Sequence, residues 1–289
     1  MERVGVLVHP TRPVFDAIEV LKRWTQERGF QLVQIPTGDQ PSVAPPGEVT
    51  ACDLITALGG DGTVLKAVHA AGKTRTPVLG VAYGSLGVLT TVAENELRAG
   101  LDRFAAGEWL ARQLPALELG AEEAQLAWAI NDLVLARRGS TQLIVDMCVD
   151  GELYVRLAGD GIVVATALGS SAYSMAGGGP LLATGTNAFV CTPLAMHGGC
   201  APPLVVPDDR QVTFEIHPGH GGFDLEIDGY RVDTEAQRFS VSSRRAYATL
   251  VTFDDSTSGL SWLRERGLIS DSPRVAARES RTLQAEHGT

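Results

Sequence analysis

Residues 53–71 read DLITALGGDGTVLKAVHAA, a sequence typical of a strand, a glycine-rich loop and a helix. Asp53 to Leu58 is a short apolar run of the kind found in buried strands, and apolar residues recur at helical spacing from Thr63 to Ala71. The glycines between them form the connection. In an open α/β sheet, a loop in this position lies at the carboxyl end of the strand, where ligands bind.

The first 107 residues alternate between these two patterns. Strands that alternate with helices imply parallel βαβ units. We therefore predict an α/β N-terminal domain over residues 1–107. Its strands are predicted at Val4–Val8, Gln31–Gln34, Asp53–Leu58 and Pro77–Ala82, and its helices at Val14–Arg28, Thr63–Ala71 and Glu94–Ala106.

After Gly107 the pattern changes to apolar runs separated by turn signals such as Asp150-Gly151 and Asp228-Gly229. This pattern predicts a β-rich, sandwich-like domain over residues 108–255. Residues 256–289 end in a polar, charged tail. They are expected either to pack back on the first domain or to be partly disordered. Strands are predicted at Leu126–Ala136, Leu143–Val149, Leu153–Leu157, Ile162–Thr166, Pro203–Val206, Val212–Ile216, Phe223–Ile227 and Ala246–Phe253.

Composition excludes several classes of protein. With 24 basic against 34 acidic residues the chain carries a net charge of -10, so its overall field repels nucleic acid. A small anionic ligand remains possible, because backbone amides and a few local cations hold phosphates inside acidic proteins. The four cysteines form no CxxC pair, and no protein metal ligands are predicted. No apolar run is long enough to span a bilayer, so no membrane partner and a cytoplasmic location are expected.

The loop Gly59-Gly60-Asp61-Gly62-Thr63 is the first candidate site. Glycines let the backbone approach a ligand, and the first amides of the following helix favour a phosphate. Asp61 is unusual there, since a carboxylate repels phosphate unless it has another task. It would accept the proton of an attacking hydroxyl or hold a divalent cation. The alternative is a plain Asp-Gly turn in which Asp61 caps the helix.

Further small and polar residues follow other predicted strands. Gly84-Ser85-Leu86-Gly87 comes after the fourth strand, at the same edge of the sheet as the first loop. Asn131-Asp132 offers an amide and a carboxylate, and the segment Gly169–Ser174 offers hydroxyls suited to a ribose. Each of these groups is also compatible with a simple turn.

The order of these motifs resembles that of the NAD kinase family, in the superfamily that includes diacylglycerol kinases and sphingosine kinases. The resemblance covers most of residues 1–255. It rests on Gly59–Thr63, Gly84–Thr90, Asn131-Asp132, Asp160-Gly161, Thr166–Ser174, Gly178–Pro180 and Asp228-Gly229.

This resemblance implies ATP-dependent transfer of the γ-phosphoryl group to the 2′-hydroxyl of the adenosine ribose of NAD, with Mg²⁺, by a homo-oligomer whose site lies between the two domains. Asp61 would be the catalytic base. Phosphates would face Gly59, Gly60, Gly62, Thr63 and Gly84. The acceptor would contact Asn131, Asp132, Asp160, Ser170, Ser171, Ala172, Tyr173 and Asp228.

The sequence departs from the family pattern mainly on the acceptor side. Val88 replaces a usual Phe, Asp132 a usual Glu and Pro202 a usual Arg. The phosphate-facing loop is intact and predicts phosphoryl transfer, whereas the departures bear on the acceptor, for which NAD is the default. Two alternatives stay open: a kinase of the same fold that acts on a sugar, aminosugar or cyclitol, and a catalytically silent nucleotide-binding regulator.

Overall fold

The computed structural model of the 289-residue chain describes residues 1–38, 40–84, 87–121, 124–218, 221–253, 263–264 and 267–275. Met1–Asp255 form one compact unit and Ser256–Thr289 a second. Most of the second unit lies outside the described residues. In its described part, Arg264 pairs with Asp271. The expectation for residues 256–289 therefore stays a prediction.

The described chain contains four α-helices, three single-turn 3-10 helices and seventeen strands. The helices are α1 (Phe15–Arg28), α2 (Asp61–Gly72), α3 (Leu97–Ala105) and α4 (Tyr173–Ala176). The strands are β1 (Arg3–Val8), β2 (Gln31–Gln34), β3 (Leu54–Gly59), β4 (Val78–Ala82), β5 (Val92–Ala93), β6 (Leu110–Ala121), β7 (Ala124–Ala129), β8 (Asp132–Arg137), β9 (Leu143–Val149), β10 (Glu152–Gly159), β11 (Gly161–Thr166), β12 (Ala188–Leu194), β13 (Leu204–Pro207), β14 (Val212–Pro218), β15 (Phe223–Ile227), β16 (Tyr230–Val232) and β17 (Arg238–Thr252).

The N-terminal half is α/β, as predicted. Strands β2, β1, β3 and β4 lie side by side in parallel. Helix α1 buries Ile18, Leu21 and Trp24, the residues whose spacing predicts it, and ends at Gly29 in the left-handed conformation. The predicted strands and helices of this half are all confirmed within a few residues. The carboxyl ends of β3 and β4 therefore meet at one edge, where the glycine-rich loops begin.

The C-terminal half is β-rich, which confirms the predicted fold class. Among the described residues, eleven strands form a first sheet and six form a second, in the order β13-β12-β11-β8-β15-β16. Apolar side chains from both sheets pack between them, with Phe189 of the second sheet and Phe214 and Phe239 of the first fully buried. This packing is the sandwich that the alternating apolar runs predict.

The first sheet crosses the predicted boundary at residue 107. Strand β17 pairs antiparallel with β14 and β6, and its C-terminal end pairs in parallel with β4 at Leu250 and Val78. The chain therefore returns at its end to complete the N-terminal sheet. The two predicted domains share this sheet, and the boundary itself stays a prediction.

One predicted strand is wrong in its extent. The apolar run Leu126–Ala136 is divided into β7 and β8 by a turn at Ile130 and Asn131. The division has a physical cause, because the amides of this turn donate to a distant carboxylate rather than to a neighbouring strand. Strands β5, β6, β12 and β16 were not predicted, and β17 starts eight residues before the predicted Ala246.

All four cysteines are free thiols: Cys52 and Cys191 are buried, Cys148 is half-buried and Cys200 is exposed. Across the described ranges, none of the helices combines the length and the apolarity that crossing a bilayer requires.

Candidate functional site

The loop between β3 and α2 places five predicted residues at the N-terminus of a helix. Gly60 is the N-cap, and its carbonyl accepts the amides of Thr63 and Val64 at 2.9 and 3.1 Å. A Cβ atom on Gly59 would lie 2.2 Å from Thr63 Oγ1, so Thr63 can pack back on the loop only against a glycine. A Cβ atom on Gly62 would meet nothing within 4 Å. The loop is thus closed toward the sheet and open on its outer side.

The Asp61 carboxylate joins this loop to the second one. Its Oδ2 accepts the amide of Val88 and its Oδ1 the amide of Leu89, both at 2.9 Å. A Cβ atom on Gly87 would lie 2.1 Å from Asp61 Oδ1, so the close approach requires glycine. The two loops meet at one edge of the sheet, as predicted. Gly84 adopts φ +101°, and Ser85 and Leu86 lie outside the described residues.

A half-buried arginine supports the second loop. Arg112 Nη1 donates to the carbonyl of Val88 at 3.0 Å. Burial lowers the pKa of Arg112, and the negative charge of Asp61 offsets part of this effect. Val88 therefore links the two side chains: its carbonyl accepts from the Arg112 guanidinium, and its amide donates to the Asp61 carboxylate.

Cations gather around the N-terminus of α2. A Cβ atom on Gly60 would lie 3.8 Å from Arg12 Nη1, and this guanidinium donates to the carbonyl of Tyr83. Burial, then the positive charges of Arg12 and Lys66, lower the pKa of His9. These three residues were not predicted as site residues. Arg12 and His9 follow β1 at the same sheet edge as the loops, and that topological position is the signal that points to them.

On the acceptor side, one buried carboxylate holds the turn that carries Asn131 and Asp132. Asp228 Oδ1 accepts the amides of Asn131 and Asp132 at 2.7 and 3.0 Å. Its Oδ2 accepts the amide of Ile130 at 2.8 Å and lies 2.5 Å from His69 Nε2. The side chain of Asp228 has no exposed surface. Its contacts are therefore with protein groups on both oxygens.

The carbonyls of the same turn are bound from the opposite side. Thr166 Oγ1 donates to the carbonyl of Ile130 at 2.7 Å, and the Thr166 amide donates to that of Asn131 at 2.9 Å. A Cβ atom on Gly169 would lie 2.0 Å from the Asn131 oxygen. Since both its amides and its carbonyls are engaged, the turn is a fixed part of the site.

Asp132 carries the clearest electrostatic signature of this cluster. Its side chain is buried, and burial together with the nearby Asp228 charge raises its pKa to about 6. A hydrogen bond from the amide of Tyr173 acts in the opposite direction. A carboxyl group with a shifted pKa in such a position is a frequent mark of a functional site.

The predicted hydroxyls are mostly used within the protein. Ser170 is fully buried, donates to the Ala167 carbonyl at 2.8 Å and accepts the Leu182 amide at 3.0 Å. Ser171 donates to the Leu168 carbonyl. Ala172 and Tyr173 are exposed, with Tyr173 47% exposed. The accessible surface of this segment therefore comes from Ala172 and Tyr173.

Asp160 lies apart from the other acceptor residues within one chain. It precedes β11, while Asp132 pairs with Ala165 near the other end of that strand. Five residues of extended strand separate the two positions by about 17 Å. Asp160 pairs there with Arg137, whose Nε lies 2.5 Å from its Oδ1.

Helix α2 connects the two sides. Asp61 opens the helix, and His69, eight residues later, contacts Asp228. The loop Gly59–Thr63 and the turn at Ile130 and Asn131 are thus fixed to the same rigid element.

In a comparison with known proteins, two domain families match consecutive parts of the chain. Residues 12–109 match the ATP-NAD kinase N-terminal domain, and residues 130–249 match the ATP-NAD kinase C-terminal domain. An NAD kinase of Heliobacterium modesticaldum is 32% identical over 243 residues, which cover 79% of this chain and 85% of that protein. An NAD kinase of Chlorobaculum tepidum is 33% identical over 180 residues, which cover 62% of this chain and 63% of that protein. The crystal structure of yeast NADH kinase with NADH superposes with a TM-score of 0.78 at 22% identity, over 94% of this chain and 89% of that one.

Proposed function

Since the chain belongs to the NAD kinase family, we infer that it transfers the γ-phosphoryl group of ATP to the 2′-hydroxyl of the adenosine ribose of NAD, which gives NADP. It is a phosphotransferase with an alcohol group as acceptor. One observation carries this proposal: α2 begins at the phosphate-facing loop and, through His69 and Asp228, holds the turn with Asn131 and Asp132. Donor and acceptor groups are thereby positioned by one element.

The donor phosphates would lie at the N-terminus of α2. Amides at a helix N-terminus bind anions, and the open outer side of Gly62 leaves room for them. Gly59, Gly60, Thr63 and Gly84 shape the two loops around this place. Arg12 and Lys66 add local positive charge, although the chain as a whole carries a net negative charge. Phosphoryl transfer depends mostly on positioning and on stabilising the charge of the phosphates, so a fixed set of amides and cations suits it.

Asp61 would orient the acceptor hydroxyl and take its proton. Its carboxylate is held in one orientation by the amides of Val88 and Leu89, and each oxygen keeps a lone pair for another partner. When the hydroxyl oxygen attacks phosphorus, the bond from the γ-phosphorus to the bridging oxygen breaks and ADP leaves. The hydroxyl proton passes to the Asp61 carboxylate.

The acceptor would be bound by the turn at Asn131 and Asp132, by Ala172 and by Tyr173. Asp228 would act by positioning this turn, since its own oxygens are engaged by protein groups. Ser170 and Ser171 would shape the adjoining segment. Asp160 lies about 17 Å from Asp132, at the other end of β11. Within one chain it would therefore contact only a distant part of the acceptor.

Mg²⁺ would neutralise phosphate charge when ATP is bound. Among the described residues no group of three or more His, Cys, Asp or Glu side chains is arranged to hold a metal ion. This fits Mg²⁺, which is commonly carried by nucleotide phosphates with one or two carboxylates rather than by a protein cage. Asp61 is the carboxylate at the N-terminus of α2 that would lie near it. A homo-oligomer in the cytoplasm, without a nucleic-acid partner, stays a prediction from sequence.

The proposal is tested by Asp61→Asn. Turnover to NADP should fall about 100-fold or more, the usual effect of losing a general base, while ATP still binds. Asp16→Asn is the matched control, because Asp16 is an exposed aspartate in the first turn of α1. Unchanged turnover in Asp61→Asn would exclude the assigned role.

A panel of acceptors separates the alternatives for the wild-type protein. NADP formation supports the proposal. Phosphorylation of a sugar, aminosugar or cyclitol without NADP formation would favour the second kinase function. Saturable nucleotide binding with no ADP released under any acceptor would identify a silent regulator.

A further inference from the structure

A cavity lies along α2, beyond the phosphate-facing loop. It has a volume of about 650 Å³, within the range of small-ligand sites. Its walls are largely apolar and aromatic, with cationic or ionisable groups on the α2 side. Its main lining residues are Lys66, His69, Ala70, Trp128, Tyr230 and Tyr247. None of the predicted site residues lines it, and we call it the aromatic cavity.

The aromatic cavity continues the open face of α2. Residues four and eight positions after Gly62 on a helix lie on the same side, and these are Lys66 and Ala70. At 1.5 Å per residue, Lys66 is about 6 Å and Ala70 about 12 Å along the axis from Gly62. A Cβ atom on Gly62 would meet nothing within 4 Å, so the helix surface is open at that point. The helix face thus leads from the anion-binding N-terminus into an apolar cavity.

Charge is ordered along the same line. Arg12 lies beside Gly60, and Lys66 is near enough to His9 to lower its pKa. Lys66 Nζ is 5.8 Å from the centre of the Tyr230 ring, so the lysine stands at the boundary between the cationic region and the aromatic wall. Such an arrangement suits an elongated ligand with a polyanionic end and a planar apolar end.

The aromatic wall has one ring available for stacking. Trp128 and Tyr247 stack on each other with their centres 4.7 Å apart, and Arg244 lies 5.0 Å from the Trp128 ring centre. Tyr247 is buried, whereas Tyr230 is 54% exposed beside the cavity. The stacked rings of Trp128 and Tyr247 therefore form a preorganised floor of the cavity, and Tyr230 offers an exposed ring on which a ligand can stack.

We propose that the aromatic cavity binds the adenine base of the donor ATP, stacked on Tyr230, while the triphosphate runs back past Lys66 to the N-terminus of α2. This inference rests on the proposed function and adds to it the site of donor selectivity. A nucleoside triphosphate has its base and its γ-phosphate at opposite ends, which matches the order of groups along α2. The acceptor NAD also contains adenine, so the adenine of NAD is the alternative occupant of the aromatic cavity.

Contacts on the helix favour the donor over the acceptor. His69 lines the aromatic cavity and contacts Asp228, and Asp228 in turn binds the amides of Asn131 and Asp132. The His69 and Asp228 side chains stand between the cavity and the acceptor turn. A base in the cavity therefore belongs to the molecule whose phosphates occupy the helix N-terminus.

Two variants test the assignment by steady-state kinetics of NADP formation. Tyr230→Ala removes the stacking face, and Ala70→Phe fills the cavity from α2. In each, KM for ATP should rise about 5-fold to 20-fold, as expected for losing one base stack, while KM for NAD changes less than about 2-fold. Phe15→Ala is the matched control, since Phe15 is 72% exposed on α1 and outside the cavity. Thermal unfolding of all three establishes that they are folded.

The outcomes separate this inference from the proposed function. A rise in KM for ATP alone, in either folded variant, supports the donor assignment. A rise in KM for NAD alone, or unchanged KM for both substrates in the folded variants, overturns it. If the wild-type protein forms no NADP, the proposed function fails by itself. Calorimetric binding of a non-hydrolysable ATP analogue to wild type and Tyr230→Ala then decides the cavity assignment, and equal affinities would overturn it.

Discussion

Replacing Asp228 with asparagine should destabilise the protein far more than an ordinary surface substitution. The Asp228 carboxylate is fully buried and binds four groups: the amides of Ile130, Asn131 and Asp132, and His69 Nε2. Asparagine keeps one acceptor oxygen and exchanges the other for an NH₂ donor. With its oxygen toward Asn131 and Asp132, its NH₂ group faces the amide of Ile130, which then has no acceptor.

The magnitude follows from the bonds lost. Hydrogen bonds to a charged group contribute about 1.5–3 kcal/mol each, and Asp228→Asn weakens or removes the two at Oδ2. We therefore expect the free energy of unfolding to fall by about 3–5 kcal/mol. At about 2–4 °C per kcal/mol for a chain of this size, Tm should fall by about 6–20 °C.

The assay is urea unfolding followed by circular dichroism, with thermal unfolding as a second measurement. Asp233→Asn is the control on the same hairpin, because Asp233 is 98% exposed and its carboxylate lies 3.6 Å from the Arg231 guanidinium. Exposed ion pairs contribute about 0–1 kcal/mol, so the control should stay near wild type. Equal unfolding free energies for the two variants would refute the reasoning that Asp228 fixes the acceptor turn.

Two further predictions concern neighbouring groups. Because the pKa of Asp132 is raised to about 6, the folded state keeps this proton to higher pH than the unfolded state, and the contribution of Asp132 to stability falls as pH rises from about 4 to about 6. Asp132→Asn should therefore gain about 2–3 kcal/mol relative to wild type between pH 4 and pH 7 in denaturant titrations, and a difference that does not vary with pH would contradict this. Arg112→Met should lower kcat roughly 10-fold to 100-fold by loosening Val88 and hence Asp61, with Arg112→Lys partly restoring it. Loss of thermal stability with unchanged kcat would instead give Arg112 a purely structural role.

Local patterns were sufficient to predict the strand-loop-helix units and the residue types of the site. Asp61 follows a buried strand at the start of a helix, and both facts are visible within about ten residues of sequence. The same holds for Gly59, whose lack of a side chain the close approach of Thr63 requires. Such features depend on neighbours in the chain, so periodicity and turn chemistry identify them.

Partners that are distant in the chain could not be predicted in this way. Asp228 contacts His69 across 159 residues and Ile130 across 98. The turn that divides β7 from β8 depends on this contact, which is why the apolar run Leu126–Ala136 indicated one strand where there are two. Arg12 and Arg112 escaped prediction for the same reason, because only folding brings them to Asp61 and its loop.

The placement of charge reconciles an acidic chain with a polyanionic substrate. A net charge of -10 repels nucleic acid, but screening confines such effects to about 8 Å in physiological salt. Within that distance of the N-terminus of α2, what matters is the local set: helix amides, Arg12 and Lys66, with Asp61 held aside by Val88 and Leu89. Because Asp61 is bound to amides of the second loop, its negative charge is partly compensated. The proposed site would therefore keep one carboxylate for proton transfer and still attract a triphosphate.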